Sequence, residues 1–427
     1  MTGERFVSMQ PDKDGVPRVK AVMKYSSHGS EAMKKAGNVM PIQRGQDGGR
    51  LLDALYVNGE FIHKGSLEKR ARQVRAKGVK VNKIVWCYHD FGYGNSLAHV
   101  GRETVRWLKK LGKPVYIRPW DGKPRPDLGV PYADDEILKT SAVIVMDRYP
   151  VPDSVFEMLK PAPFIAGYYM LEGTRTREWE MSRLEGYDAI FTPSTFCQKA
   201  MVESGINTPI FVWGHGIDHE VFPYVPHKPD RPFTFLWFGD ENRRKGYDLF
   251  LEAFSKVTVP NVRAWVRGPG SGMVNGARVK YQNDPRIVWD TKVTPPGQLK
   301  EMMSEADVLV SPLRGEGFGL TLLEAMASGR PVIATQWSGP LDFGGGPDLT
   351  YWIKVAGHEP AQNDSGVQVI PSMPDLVAMM TQCAQNPAEV QSRGVRASAS
   401  AHDNWRWSQK VLEVIPYLKQ MIPDFSV

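Results

Sequence analysis

Cysteine is scarce in this chain. Only Cys87, Cys197 and Cys383 occur among 427 residues, far apart and without metal-ligand spacing. That excludes a disulfide framework or a thiolate zinc site and reads as free thiols in a reducing compartment. Long apolar runs are also lacking, and none is long enough to cross a bilayer. The N-terminus, MTGERFVSMQPDKDG, has no apolar core of a secretion signal, so a cytoplasmic protein is expected. No internal repeat of short period is present. No Asp-x-Asp pair stands at a strand end either; ADDE, at 133–136, lacks that setting.

What is present is the composition of a globular protein, too long for one ordinary core, so two domains are expected. The charge is unevenly placed. Residues 1–82 hold 16 Lys+Arg against 8 Asp+Glu, a net of +8, and the remainder holds 37 against 39, a net of −2. The densest run, EKRARQVRAKGVK at 68–80, reads either as a solvated helix face or as a contact for an anionic partner, nucleic acid or membrane surface.

Four segments are expected. Residues 1–82 form a basic extension, irregular through residue 50, with a hairpin in LYVNGEFIH at 55–63, where Asn-Gly separates two β-type runs. From 83 to 226, strand-like runs (KIVWCY, SAVIVM, PFIAGYYM, DAIFTPS) alternate with helical patterns such as SLAHVGRETVRWLKKLG. The proline-rich YVPHKPDRP, 224–232, reads as a linker, and the rhythm restarts over 227–403. Residues 404–427 form a C-terminal segment in which NWRWSQKVLEVIPYLKQM, 404–421, carries one long helical pattern, broken near Pro416. The expected fold class is α/β, with two Rossmann-like domains facing a central cleft.

GEGFGLTLLE, 315–324, follows the strand-like DVLVSPL and opens a helix. Ligands of such sheets bind beyond the carboxyl ends of strands. The turn Gly317-Phe318-Gly319 lets backbone approach a ligand, and free N–H groups near Gly319, Leu320 and Thr321 suit a diphosphate. Glu316 then lies beside the group on the far phosphate, and Glu324 lies on the helix side shared with Leu320. Each carboxylate can accept hydrogen bonds from a diol, Glu316 from a sugar and Glu324 from a ribose. The plain alternative is a loop charge and a surface helix residue. Arg243, Arg244 and Lys245 stand between a strand ending at Gly239 and a helix beginning near Gly246, where cations can neutralise a diphosphate; the alternative is a basic surface loop.

ENRRKGYDLFLEAF, ADVLVSPLRGEGFGLTLLEAMASGRPVIAT and WGHGIDHEVF together resemble the retaining GT-B glycosyltransferases of family four. The resemblance covers about 163–415, is weaker through 83–162 and is absent in 1–82. It implies that Glu316 contacts the donor sugar, Glu324 the ribose, and Lys245 the diphosphate. Asp240 stands where the family has an arginine, so Arg243 or Arg244 takes that role. Glu172 stands near a family histidine that faces the reacting sugar; a structural ion pair with Arg175 is its alternative. His215 lies in the interdomain segment as a cleft residue. Gly92, Gly94 and Asn95, in DFGYGNS, face the second domain as acceptor or phosphate contacts. The C-terminal helix crosses back to the first domain, anchored by Trp405 and Trp407.

The expected activity is transfer of a hexose from a nucleotide-diphosphate sugar, such as a UDP- or GDP-sugar, with retention and without a metal or other cofactor. The acceptor is a glycan, a lipid-linked sugar or, given the basic extension, a modified base in DNA. The alternative is a catalytically silent nucleotide-sugar or partner-binding protein on the same fold. If DNA is the partner, duplex binding falls steeply with salt and disappears on deleting residues 1–80. An electrophoretic-shift salt series checks this; a deletion that leaves binding and its salt response unchanged contradicts it.

Overall fold

A computed structural model describes residues 78–88, 96–123, 125–146, 150–240, 242–268, 278–291, 299–422 and 424–427 in full, and by backbone alone five strands before residue 64 and helical residues 275–277. Gly92, Gly94 and Asn95, and residues 68–77 of the basic run, lie outside the described residues.

The N-terminal segment contains more strand than expected. β1 (Arg5–Pro11) pairs antiparallel with β2 (Pro17–Lys24) and with β3 (Pro41–Ile42). This corrects the irregular reading of residues 1–50. PRVKAVMK alternates basic with apolar residues over part of its length, a period-two signal overshadowed by polar flanks. β4 (Ala54–Val57) and β5 (Glu60–His63) pair antiparallel with Val57 opposite Glu60, leaving two residues to connect them. That is the hairpin expected around Asn58-Gly59, whose turn itself lies outside the described residues.

The first lobe is a parallel sheet of β6 (Lys83–Cys87), β7 (Val115–Ile117), β8 (Ser141–Met146), β9 (Phe164–Tyr168), β10 (Ala189–Thr192) and β11 (Ile210–Val212), in the order β7-β6-β8-β9-β10-β11. β8 is buried at every position, as a strand covered on both faces must be, so its apolar run shows no alternation. Two of its helices matter for the site: α1 (Ser96–Lys110) and α2 (Thr195–Glu203).

The second lobe repeats the design with β12 (Phe233–Phe238), β13 (Val262–Arg267), β14 (Ile287–Asp290), β15 (Val308–Ser311), β16 (Val332–Thr335) and β17 (Thr350–Ile353), in the order β14-β13-β12-β15-β16-β17. The chain order reverses between β12 and β15, where such a sheet leaves a crevice beyond its strand ends. α3 (Tyr247–Ser255) follows β12, and α4 (Leu320–Ala327) follows β15. An antiparallel hairpin, β18 (Val355–Pro360) and β19 (Val367–Pro371), extends this lobe.

The linker is tied to the second lobe. Val225 N–H donates to Ser328 O, Arg231 pairs with Asp307, and His227 lies between Asp307 and Gly329 O. The C-terminal pattern is not one helix broken at Pro416. α5 (Pro387–Asn404), α6 (Trp407–Lys410) and α7 (Val414–Met421) form instead. Pro416 sits in the first turn of α7, where a missing N–H costs no helical hydrogen bond. Trp407, Val411, Val414, Leu418 and Met421 enter the first-lobe core, so the tail does cross back. Burying one indole removes roughly 200 Å² from water, roughly 5 kcal/mol, enough to order a few residues at about 1–2 kcal/mol each. Trp405 does not join that core; its ring packs on Phe318 and Phe343 of the second lobe, 5.8 and 5.9 Å away.

Candidate active site

The strand ends β12 and β15 bring the two basic and acidic motifs together. After β12, Asn242 accepts from Lys245 N–H and caps a single tight turn, Arg243–Lys245, that ends at Gly246. After β15, the chain runs through Arg314-Gly-Glu-Gly-Phe-Gly into α4. Arg314 N–H donates to Arg244 O at 2.8 Å, joining the two loops through backbone.

Glu316 lies at the centre. One of its oxygens, Oε2, accepts from Arg244 Nη1 at 3.0 Å and from Lys245 Nζ. Arg244 Nη1 also donates to Gly315 O, and its Nη2 pairs with Glu172 Oε1 at 2.7 Å across the cleft. Glu172 therefore pairs with Arg244 rather than with Arg175, the structural partner weighed from sequence. Arg243 points elsewhere: its guanidinium pairs with Glu359 of β18, which also faces the buried Arg314. Of the two arginines that could stand in for the one missing at Asp240, Arg244 is the one beside Glu316.

The two glutamates of the motif have opposite electrostatics. Burial alone raises a carboxyl pKa, since taking a carboxylate out of water costs several kcal/mol. At Glu316 that penalty is outweighed by Lys245 and Arg244, which hold its pKa down at about 2. Glu324, 6% exposed, has no such cation among the described residues; burial, reinforced by the charge of Glu103, pushes it up to about 8. His99 of α1 stands beside it, Nε2 to Oε1 3.8 Å, and its own pKa is lowered to about 4 by burial and by Arg106. At neutral pH Glu324 is thus a carboxylic acid beside a neutral imidazole, able to donate one hydrogen bond and accept others.

Two glycines show why the turn needs its composition. A Cβ on Gly315 would stand 2.1 Å from Glu172 O, so the first-lobe loop touches this backbone directly. Gly319 has φ +97°, the left-handed entry that points the first N–H groups of α4, at Leu320 and Thr321, out of the helix. Phe318 is buried, 4.7 Å from the ring of His215. His215 is 3% exposed, stacks on Tyr168 and Trp407, and among the described residues has no hydrogen-bond partner on either ring nitrogen. Burial, with His99 adding to it, lowers its pKa to about 3, so it is neutral.

Further residues close the cleft without having stood out in the sequence. Ser194 Oγ donates to Gly317 O at 2.6 Å, and Thr195 donates through N–H and Oγ1 to Asp342. Arg175 N–H donates to Ser365 O, and Thr174 Oγ1 accepts from Val367 N–H, so the β18–β19 hairpin seats on the Glu172 loop. Ser194 also caps α2, and the Ser-x-x start of that helix is the one signal that marked it. All three cysteines are buried, and none forms a disulfide. Asp134 is a helix cap and Asp135 pairs with Arg118. Among the described residues no cluster of three His, Cys, Asp or Glu side chains suits a metal, and no helix is long and apolar enough to cross a membrane.

Residues 232–349 match the family model Glycosyl transferases group 1. The fold agrees: the Anabaena protein HepE, solved with UDP and glucose, superposes with a TM-score of 0.59 at 12% identity over 79% of this chain and 99% of that one. This is the GT-B fold. In sequence, glycogen synthase of Mycobacterium tuberculosis (strain CDC 1551 / Oshkosh) is 24% identical over 78% of each chain. A putative glycosyltransferase of Sulfolobus islandicus filamentous virus is 25% identical over 40% of this chain; the aligned part spans 48% of that relative's length.

The raised pKa of Glu324 has a consequence for stability. A proton held in the folded chain but lost from the unfolded one makes stability fall with pH. The contribution is complete below the ordinary carboxyl value of 4.5 and is lost as pH rises through about 8. Tm measured from about pH 5 to about pH 9 is expected to fall less for Glu324→Gln than for the native chain. Equal pH profiles would show that Glu324 does not carry the proton.

Proposed function

We propose that the chain is a retaining glycosyltransferase that moves a hexose from a nucleotide-diphosphate sugar to an acceptor hydroxyl. The observation that carries the reading is Glu316 held by Lys245 and Arg244 at the reversal point of the second sheet. The family match over the same segment and the GT-B fold support it.

In this reading, Arg244, Lys245 and the N-terminus of α4 bind the diphosphate and stabilise the charge that grows on it as the sugar leaves. With that charge supplied by the protein, the transfer is proposed to be metal-independent. Glu316 orients the sugar hydroxyls, Glu324 the ribose, and Glu172 and His215 flank the reacting face from the first lobe. The bond from the anomeric carbon to the phosphate oxygen breaks, and the acceptor oxygen bonds to that carbon on the same face. The departing phosphate oxygen takes the acceptor proton, so the step needs no protein nucleophile.

The acceptor is proposed to be a glycan or lipid-linked sugar. A modified DNA base rests only on the charge of residues 1–82. The HepE complex makes UDP-sugars the first donors to test.

A panel of UDP- and GDP-sugars, scored by release of nucleoside diphosphate, is expected to give turnover with at least one donor. Glu316→Ala is expected to lower that turnover by roughly a thousandfold with circular dichroism unchanged. Full turnover by this variant, or donor binding without turnover by the native chain, favours a silent sugar-nucleotide-binding protein instead.

A further inference from the structure

Resting on the transferase reading, we propose that Ser338 is a positioning residue for Glu316. Ser338 follows β16, whose end borders the β15 strand that carries the Glu316 loop. Its backbone sits at φ 61°, ψ −152°, a region that residues with a Cβ rarely adopt, and the residue is 2% exposed.

The strained turn meets the Glu316 peptide on both sides. Ser338 Oγ accepts from Glu316 N–H at 3.1 Å, and the next residue, Gly339, donates its N–H to Glu316 O at 3.0 Å. The turn is itself fixed: Trp337 N–H donates to Thr335 O and Leu341 N–H to Ser338 O. Both backbone polar groups of Glu316 are therefore set by residues 338 and 339. The side chain of Glu316 meets Arg244 and Lys245 from that platform.

Glycine would make the same turn without strain. What serine adds is an oxygen, and that oxygen accepts the N–H of Glu316. Ser338 thus retains an unfavourable backbone in order to aim a carboxylate that faces the donor sugar. It touches no substrate itself and acts through Glu316.

Two variants separate this role from plain structural support. Ser338→Gly relieves the backbone and removes the oxygen; Ser338→Ala removes the oxygen and leaves the backbone strained. Donor turnover and Tm are measured for both and for the native chain. Both variants are expected to lose kcat roughly tenfold or more with donor KM within about twofold, because a misaimed group costs rate before it costs binding. Tm is expected to fall for Ser338→Ala and to hold or rise for Ser338→Gly. A Ser338→Gly chain with native kcat, or activities that simply follow Tm, overturns the positioning role. A Ser338→Gly chain that does not fold overturns the strain assignment. Absence of turnover with every donor in the native chain overturns the transferase reading beneath it, a distinct result.

Discussion

The contact between Glu316 and the two cations Arg244 and Lys245 is the interaction on which the rest of the site depends. It lies where the second sheet reverses its strand order, so two loops distant in sequence are forced to meet there. Each loop alone would be a common surface feature. Joined, they form a partly buried patch in which one carboxylate is kept ionised by two positive charges. In the proposed transferase reading, the same two cations serve a diphosphate. The geometry of the parallel sheet thus decides the chemistry, because it fixes which charges share the crevice.

The contrast between the two glutamates follows from the same argument. Both belong to one loop-helix unit; Glu324 is buried and Glu316 is largely so. One has cations within hydrogen-bond reach and stays ionised; the other faces α1 of the opposite lobe and keeps its proton. Contacts across the cleft hold the lobes in register around this pair. Glu172 reaches Arg244, Ser194 and Thr195 hold the loop and helix turns of the second lobe, and the β18–β19 hairpin seats on the Glu172 segment. The tail then fastens the first lobe through Trp407 while Trp405 stays with the second. One short stretch of chain therefore anchors both lobes, next to Phe318 and His215.

Much of the fold was legible in the sequence, and the reasons are physical. Buried parallel strands require unbroken apolar runs such as SAVIVM, and their crossover helices require an amphipathic period, so the double α/β rhythm shows itself. Glu316, Glu324 and Lys245 could be singled out because their loop glycines and helix starts are local features. Pairing across the cleft was not legible. Nothing near Glu172 distinguishes Arg175 from Arg244 as its partner, since the choice depends on lobe docking. Nor could Arg243 be told from Arg244; a tight turn sends the two side chains to different partners, Glu359 and Glu316. The strands before residue 42 were overlooked because short alternating runs among charged residues resemble irregular chain, and the break before Trp407 has no proline to mark it. Ser338 carries no local sign of its positive φ, because serine is not the residue that such a backbone favours.

The central claim is that Glu316 and a diphosphate compete for the same two cations. Calorimetric titration of a nucleoside diphosphate, without its sugar, into the native chain and into Glu316→Gln tests it most directly. The account predicts tighter binding to Glu316→Gln, since an internal carboxylate no longer holds Arg244 and Lys245. Equal or weaker binding by that variant would contradict it.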